Sequence, residues 1–305
     1  MDHPIFMVGF PRSGTSILAE AISLHESLGW LPTYLNRLPW FPHLAALNRI
    51  TFLPGFGHHL LGKKKQQPGI MPRVRRLMPY CGEVFGAWKF CLGEKIAMDY
   101  LIGRSADKEE RDKTYRYMRT VLRSQGKKIL FTKLTGPPRI QFLKSIFPNA
   151  RFIHIVRDPR AVIASLMQVE FWRMQGGLYR PWWRNGLPDE YKKEWQLSEY
   201  KSVALAAVQW KHIIEIVKEE SKTLTEETFI EIRYEDFIDQ PQKKLQEVFS
   251  CFGLFNSQRA LHYIHSRDKL RNMNLKYTDK LSPGIINEII EITKEVANSK
   301  GYDFK

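Results

Sequence analysis

Cysteine is scarce in this chain, with only Cys81, Cys91 and Cys251 among 305 residues. An odd number cannot form a complete disulfide set, and their spacing matches no metal-ligand pattern, so buried free thiols in a reducing compartment are expected. Long apolar runs are missing too, and none approaches the roughly 20 residues of a bilayer-spanning helix. The first residues carry neither a charged leader nor a cleavage site, because IFMVGF runs straight into a glycine loop. A cytoplasmic protein without a transmembrane segment is the expectation, which leaves peripheral membrane contact open. Fixed-period repeats and low-complexity tracts are absent, KKK at 63–65 being too short to count. No zinc spacing or RNA-recognition signature appears, so a nucleic-acid-binding module has no motif to support it.

Acidic residues are the other shortage. Lys and Arg number 47 against 32 Asp and Glu, a net charge of +15. Such an excess favours an anionic partner, whether nucleotide, nucleic acid, acidic glycan or membrane surface. A composition 43% hydrophobic and 12% aromatic supports a real core, and 305 residues allow one large α/β domain or two small ones.

The apolar run Ile5–Val8 reads as a buried strand. SILAEAISLH after it carries a helical apolar face at Ile17, Leu18, Ala21, Ile22 and Leu24. A second strand–turn–helix unit starts at RFIHIVRDPRAVIASLM, with Phe152–Val156 as strand, Asp158 as cap and Pro159 in the first turn. Further strands are expected at 127–135 and 229–237, and a helix at FLKSIFP. The alternation predicts an α/β fold, a central parallel β-sheet flanked by helices, with ligands beyond the carboxyl ends of the strands. Two regions break it: residues 31–126, rich in Pro, Gly and basic side chains before a helix at EERDKTYRYMRTVLRS, and residues 168–200, dense in Trp and Tyr. Both are read as insertions, helical and aromatic in character, on a single domain spanning 1–305.

Between Gly9 and Ser16 the chain reads GFPRSGTS. A glycine loop before a helix offers free N–H groups and a positive dipole end to an anion. Gly14 permits close approach, Ser13, Thr15 and Ser16 add hydroxyls, and Arg12 adds a fixed charge. The lysine of a nucleoside-triphosphate loop is missing, with Thr15 in its place, so a shorter anion suits the loop better than a triphosphate. Downstream, Arg157 ends a strand and Ser165 lies about two turns into the next helix, a pair suited to a phosphate. Each feature has a plain alternative: an ordinary strand–helix turn, and a surface arginine paired with Asp158.

PRSGTS after one strand and RDPRAVIAS after a later one together resemble the sulfotransferase family, bacterial-type, and IRYEDFIDQP at 232–241 extends the likeness. The resemblance implies the P-loop-like sulfotransferase fold. It also implies transfer of a sulfonate from 3′-phosphoadenosine-5′-phosphosulfate (PAPS) to a hydroxyl or amine of an organic acceptor, such as a glycan or lipid-linked alcohol. By that likeness Arg12, Ser13, Gly14, Thr15 and Ser16 take the 5′ end, while Arg157 and Ser165, eight positions apart, take the 3′-phosphate. Arg271, Asn274 and Lys276, in LRNMNLKYTDKLSP, match a loop that closes over the nucleotide. No metal is expected, because PAPS has no γ-phosphate to clamp. Lys133 matches a family lysine near the transferred group.

The family's base is a glutamate after the first helix, where this chain has Pro32 and Thr33. Glu83, the lone carboxylate of MPYCGEVFGAWKF, is the replacement candidate, in an apolar setting where desolvation would raise its pKa. His25 is expected to cap the helix end, and His43, His58 and His59 are weaker candidates. The remaining readings are a phosphate-loop kinase or NTPase and a degenerate PAPS-binding homologue.

Overall fold

Every residue of the run Ile5–Val8 is apolar, and in a strand successive side chains face opposite ways. Such a run is stable only where both faces are covered. The computed structural model, which describes residues 2–53, 79–174, 176–265 and 274–304, places it at the centre of a sheet. Phe6 and Val8 enter one buried cluster while Ile5 and Met7 enter another on the opposite face.

Among the described residues five parallel strands make this sheet: β1 (Asp2–Gly9), β2 (Leu28–Trp30), β3 (Ile129–Thr135), β4 (Arg151–Val156) and β5 (Phe229–Arg233), in spatial order β2-β3-β1-β4-β5. The chain leaves β1 for the edge at β2, returns through β3 beside β1, then continues on the far side with β4. The order therefore reverses at β1, and a crevice opens beyond the carboxyl ends of β1 and its two neighbours. Among the described residues the α-helices of seven or more residues are α1 (Thr15–Ser23), α2 (Phe85–Leu92), α3 (Lys108–Gln125), α4 (Ile140–Ile146), α5 (Pro159–Leu166), α6 (Asp189–Leu197), α7 (Lys201–Ser221), α8 (Pro241–Cys251), α9 (Gln258–His265) and α10 (Pro283–Ser299).

Two elements depart from expectation. The strand expected over 229–237 stops at Arg233, and Tyr234–Asp239 is a short helix whose first turn holds Glu235 and Asp236, where acids suit the dipole. Three-residue β2 has too little pattern to be read in advance.

Both insertions pack onto the sheet. Leu31, Leu35, Val84, Trp88 and Met118 share a buried cluster with Phe6, Val8, Leu130 and Phe152. Trp172, Trp183 and Leu187 join Phe10, Val156 and the inner face of α7. The insertions also meet each other: Asp99 accepts from Arg184 Nε and from Asn185 Nδ2, each at 3.0 Å. Behind them the buried Arg139 donates to the carbonyls of Asp99, Pro137 and Ala97. Cys81, Cys91 and Cys251 are free thiols, and burial pushes the first two up to about 12. Among the described residues no helix is long and apolar enough to cross a membrane.

Candidate active site

At the end of β1 a Cβ on Gly9 would lie 2.7 Å from the carbonyl oxygen of Ile155, so the loop leaves the sheet hard against β4. It then turns through two left-handed residues, Arg12 at φ 74° and Gly14 at φ 85°. The arginine's conformation is costly for a non-glycine and is typical of ligand loops. Gly14 precedes α1 as its cap, and no side chain among the described residues caps the first N–H groups of the helix. Ser13 Oγ is buried and has no hydrogen-bond partner among the described residues. Free amides and an orphan hydroxyl are what an anion-binding loop leaves for its ligand.

A frame of polar contacts surrounds this loop. Arg12 Nε donates to Ser165 Oγ at 3.0 Å, joining the loop to α5. Arg157, at the end of β4, donates through Nη1 to the carbonyl of Arg12 at 2.9 Å and through Nε to Asn274 Oδ1 at 2.8 Å. Its guanidinium lies 4.3 Å over the ring of Tyr234, which also closes the space beside Gly14. Burial lowers the Arg157 pKa, while Tyr234, Glu235 and Asp158 act the other way. Asn274 in turn donates to Glu235, whose other oxygen accepts from Tyr302 at 2.7 Å. Asp158 caps α5 through the Arg160 N–H at 2.8 Å. Lys276 is exposed, and no contact among the described residues ties it to this frame. Arg271, His58, His59 and the whole Lys-rich segment 63–76 lie outside the described residues.

On the other side of the loop, Lys133 stands near the end of β3, opposite Met7 of β1. Its Nζ donates to Ser16 Oγ at 3.1 Å and lies 3.4 Å from Glu83 Oε1. Thr135 Oγ1 donates to the same carboxylate oxygen at 2.7 Å. Glu83 is thus brought, through Lys133, to the Gly9–Ser16 loop, but not into the apolar setting expected. The apolar residues Val84, Ala87 and Trp88 turn inward where α2 begins, leaving Glu83 on the preceding turn with 33% of its side chain exposed. Its segment runs antiparallel beside Pro32 and Thr33: Pro32 bridges Cys81, and Thr33 N donates to Tyr80 O at 3.1 Å. Asn36 Nδ2 holds the Glu83 carbonyl at 3.0 Å.

The histidines stand apart. His25 donates through Nε2 to Phe255 O at 2.8 Å and accepts from Ser27 N, and burial lowers its pKa, so it ties down the far end of α1. His43 is exposed and lies 3.4 Å from Ser124 Oγ, away from the loop contacts described above.

Sequence reasoning missed Tyr234, Glu235 and Thr135. The first two lie in IRYEDF, where position just past a strand's carboxyl end was the usable signal. Thr135 had none, since a threonine ending a strand reads as an ordinary β-former. Most of the aromatic segment is packing: Trp172 stacks on Trp182 at 5.2 Å, and Trp183 meets Phe10 edge-on at 5.7 Å. Trp183 also covers Gly136, where a Cβ would approach the indole to 2.8 Å.

Comparison with known proteins bears on this arrangement. A family model described as the sulfotransferase family matches residues 4–256. The omega-hydroxy-beta-dihydromenaquinone-9 sulfotransferases of Mycobacterium bovis and Mycobacterium tuberculosis are each 29% identical over 275 residues. The match covers 83% of this chain and 63% of those relatives, so the chain spans less than two thirds of their length. Sulfotransferase STF9 from Mycobacterium avium shares the fold at a TM-score of 0.59 and 15% identity, with 100% of this chain and 78% of that one covered. The sulfotransferase domain from the curacin biosynthetic pathway does so at 0.51 and 15%, over 100% of this chain and 99% of that one.

Proposed function

The chain belongs to the sulfotransferase family, and from that premise we propose that it transfers the sulfonate of PAPS to a hydroxyl or amine of an organic acceptor by in-line displacement. The observation that carries this reading is one cluster at the carboxyl edge of the sheet. The loop Gly9–Ser16 lies between Arg157 on one side and the Lys133–Glu83 pair on the other.

The residues fit such a donor. The uncapped amides of α1, the orphan Ser13 hydroxyl, Arg12, Gly14, Thr15 and Ser16 would hold its 5′ end. Arg157 and Ser165 would hold the 3′-phosphate, with Asn274 fixing the Arg157 guanidinium, and Arg271 and Lys276 are further candidates for the nucleotide. When bound, PAPS supplies an activated sulfonate on a nucleotide leaving group. Lys133 and Arg12 would stabilise charge on the oxygen that bridges the sulfonate to the nucleotide. Glu83 accepts the proton of the acceptor. Its segment pairs with Pro32 and Thr33, which supports it as a substitute for the carboxylate missing there. One sulfotransferase domain accounts for the whole chain.

For the acceptor, the curated relatives are named for an omega-hydroxylated menaquinone derivative. That name supports an alcohol carried on an apolar molecule. Incubation with PAPS and a panel of such alcohols, while following 3′,5′-adenosine diphosphate, tests transfer. Absence of thermal stabilisation by 3′,5′-adenosine diphosphate would overturn the reading.

A further inference from the structure

We propose that the surface formed by Arg37–Leu53 docks the protein on an anionic lipid bilayer. Within this stretch Leu38, Trp40, Phe41, Leu47 and Leu53 are exposed by 39%, 56%, 53%, 43% and 54%. Single exposed apolar residues are ordinary, but five large ones close together on one segment are not. The Trp40 and Phe41 rings lie side by side, with centroids 6.2 Å apart. An indole with an apolar body and one N–H donor suits the headgroup boundary of a bilayer.

The patch has a firm base. Residues Pro42–Phe52 form a continuous 3₁₀ segment, and Asn48 is buried beneath it, donating to Trp30 O at 2.9 Å and to Gln125 Oε1 at 3.1 Å. Ala45 and Thr51 also point inward. The apolar side chains outside are therefore displayed by a fixed backbone and are not the spill of a loose loop.

Charge selects the partner. From Ser27 to Gly82 the sequence has no Asp or Glu at all, and all 32 acidic residues lie elsewhere. The same stretch holds eight Lys and Arg, of which Arg37 and Arg49 are exposed on the described surface. Apolar side chains beside Arg37 and Arg49, which form no ion pair among the described residues, match an anionic bilayer, which takes both. A second copy of the same face would set like charges against each other, and a polyanion such as nucleic acid would leave the leucines without a partner.

The surface ends next to the candidate base, since Asn36 grips the main chain of Glu83. Docking would thus bring the site's mouth to an acceptor held in the bilayer. That consequence rests on the sulfotransfer reading, whereas the docking itself does not.

The test is co-sedimentation of the full chain with phosphatidylglycerol vesicles and with phosphatidylcholine vesicles. Binding to the anionic vesicles, weakened by salt and stronger than to the zwitterionic ones, is expected. Trp40→Ser with Phe41→Ser should weaken it by roughly tenfold or more, since each removes a large apolar group from the contact. Arg37→Glu with Arg49→Glu should weaken it at low salt. Unchanged thermal unfolding of both variants establishes that they fold. No binding to anionic vesicles, or binding undiminished in the Trp40/Phe41 variant, overturns the proposal. So does retention on heparin without vesicle binding, or a dimer in solution that the aromatic variant dissolves. Vesicle binding without any binding of 3′,5′-adenosine diphosphate would leave the docking standing and sink only the sulfotransfer reading.

Discussion

Replacing Gly14 by Ala tests the phosphate loop at its tightest point. At φ +85° a side chain is strained whatever space surrounds it, and here there is no space: the new Cβ would lie 2.3 Å from Tyr234 Cδ2 and 2.6 Å from Cε2. Tyr234 is only 3% exposed and carries the Arg157 guanidinium on its face, so the ring cannot swing aside without moving that arginine. The left-handed backbone costs about 1–2 kcal/mol and the overpacking about 1–3 kcal/mol, so Gly14→Ala should destabilise by roughly 2–5 kcal/mol. Urea unfolding measures the loss, and calorimetric titration with 3′,5′-adenosine diphosphate measures the displaced arginine. Because the two costs have different sources, adding Tyr234→Leu should recover the overlap and not the strain, a coupling that a double-mutant cycle reads directly. A Gly14→Ala protein with wild-type unfolding midpoint and wild-type titration would refute the reasoning, because it would mean that neither the backbone angle nor the ring contact is as described.

Arg157→Ala should weaken 3′,5′-adenosine diphosphate by about 1.5–3 kcal/mol, roughly ten- to a hundredfold, since a charged hydrogen bond is lost, and titration checks it. Glu83→Gln should lower turnover by about 10²–10⁴-fold while leaving nucleotide affinity in place, and intact turnover in a PAPS assay would remove Glu83 from the mechanism. Stability should also fall in acid through Glu231. Burial would raise its pKa, but the His154 hydrogen bond at 2.8 Å and Lys300 at 2.7 Å outweigh it and hold the carboxyl at about 2, against an ordinary 4.5. A depressed carboxyl contributes stability that is whole above pH 4.5 and is lost as the pH falls toward 2. About 3 kcal/mol should disappear across that window in urea unfolding and be absent from Glu231→Gln.

The parts of the site legible in sequence are those whose chemistry is local. GFPRSGTS and RDPRAVIAS each hold their turn, cap and charges within a few residues, so α1, β4 and α5 could be read nearly to their ends, and β1 over its apolar half Ile5–Val8. What escaped depends on partners far along the chain. Thr135 meets Glu83 across 52 positions, and the Arg157–Asn274 bond spans 117. Glu83 itself was found because it is the lone acid in its segment, but its surroundings were misjudged. The apolar neighbours that suggested a dry pocket turn away into the core. Similarly, RYEDF carries β-forming and aromatic residues that prolong a strand on paper, whereas Glu235 and Asp236 suit the helix that replaces it.

The missing loop lysine has a structural counterpart in the order of the strands. In a triphosphate loop the lysine belongs to the loop and follows it. Here Lys133 belongs to β3, is 6% exposed, and is fixed by its ladder position opposite Met7 and by Glu83. It can reach Ser16 only because β3 lies directly beside β1, and Arg157 reaches the Arg12 carbonyl only because β4 lies on the other side. Two cations held by two different strands therefore grip one loop from opposite flanks. That arrangement leaves the second glycine's successor, Thr15, free of any charge-bearing duty. It also makes the separation of the two positive charges a property of the sheet, which ligand binding cannot easily change, since parallel ladders at the centre of a covered sheet are the stiffest part of the molecule. A ligand with one anionic group at each end suits such a fixed pair, whereas a chain of phosphates that must be followed along its length suits a lysine on the loop.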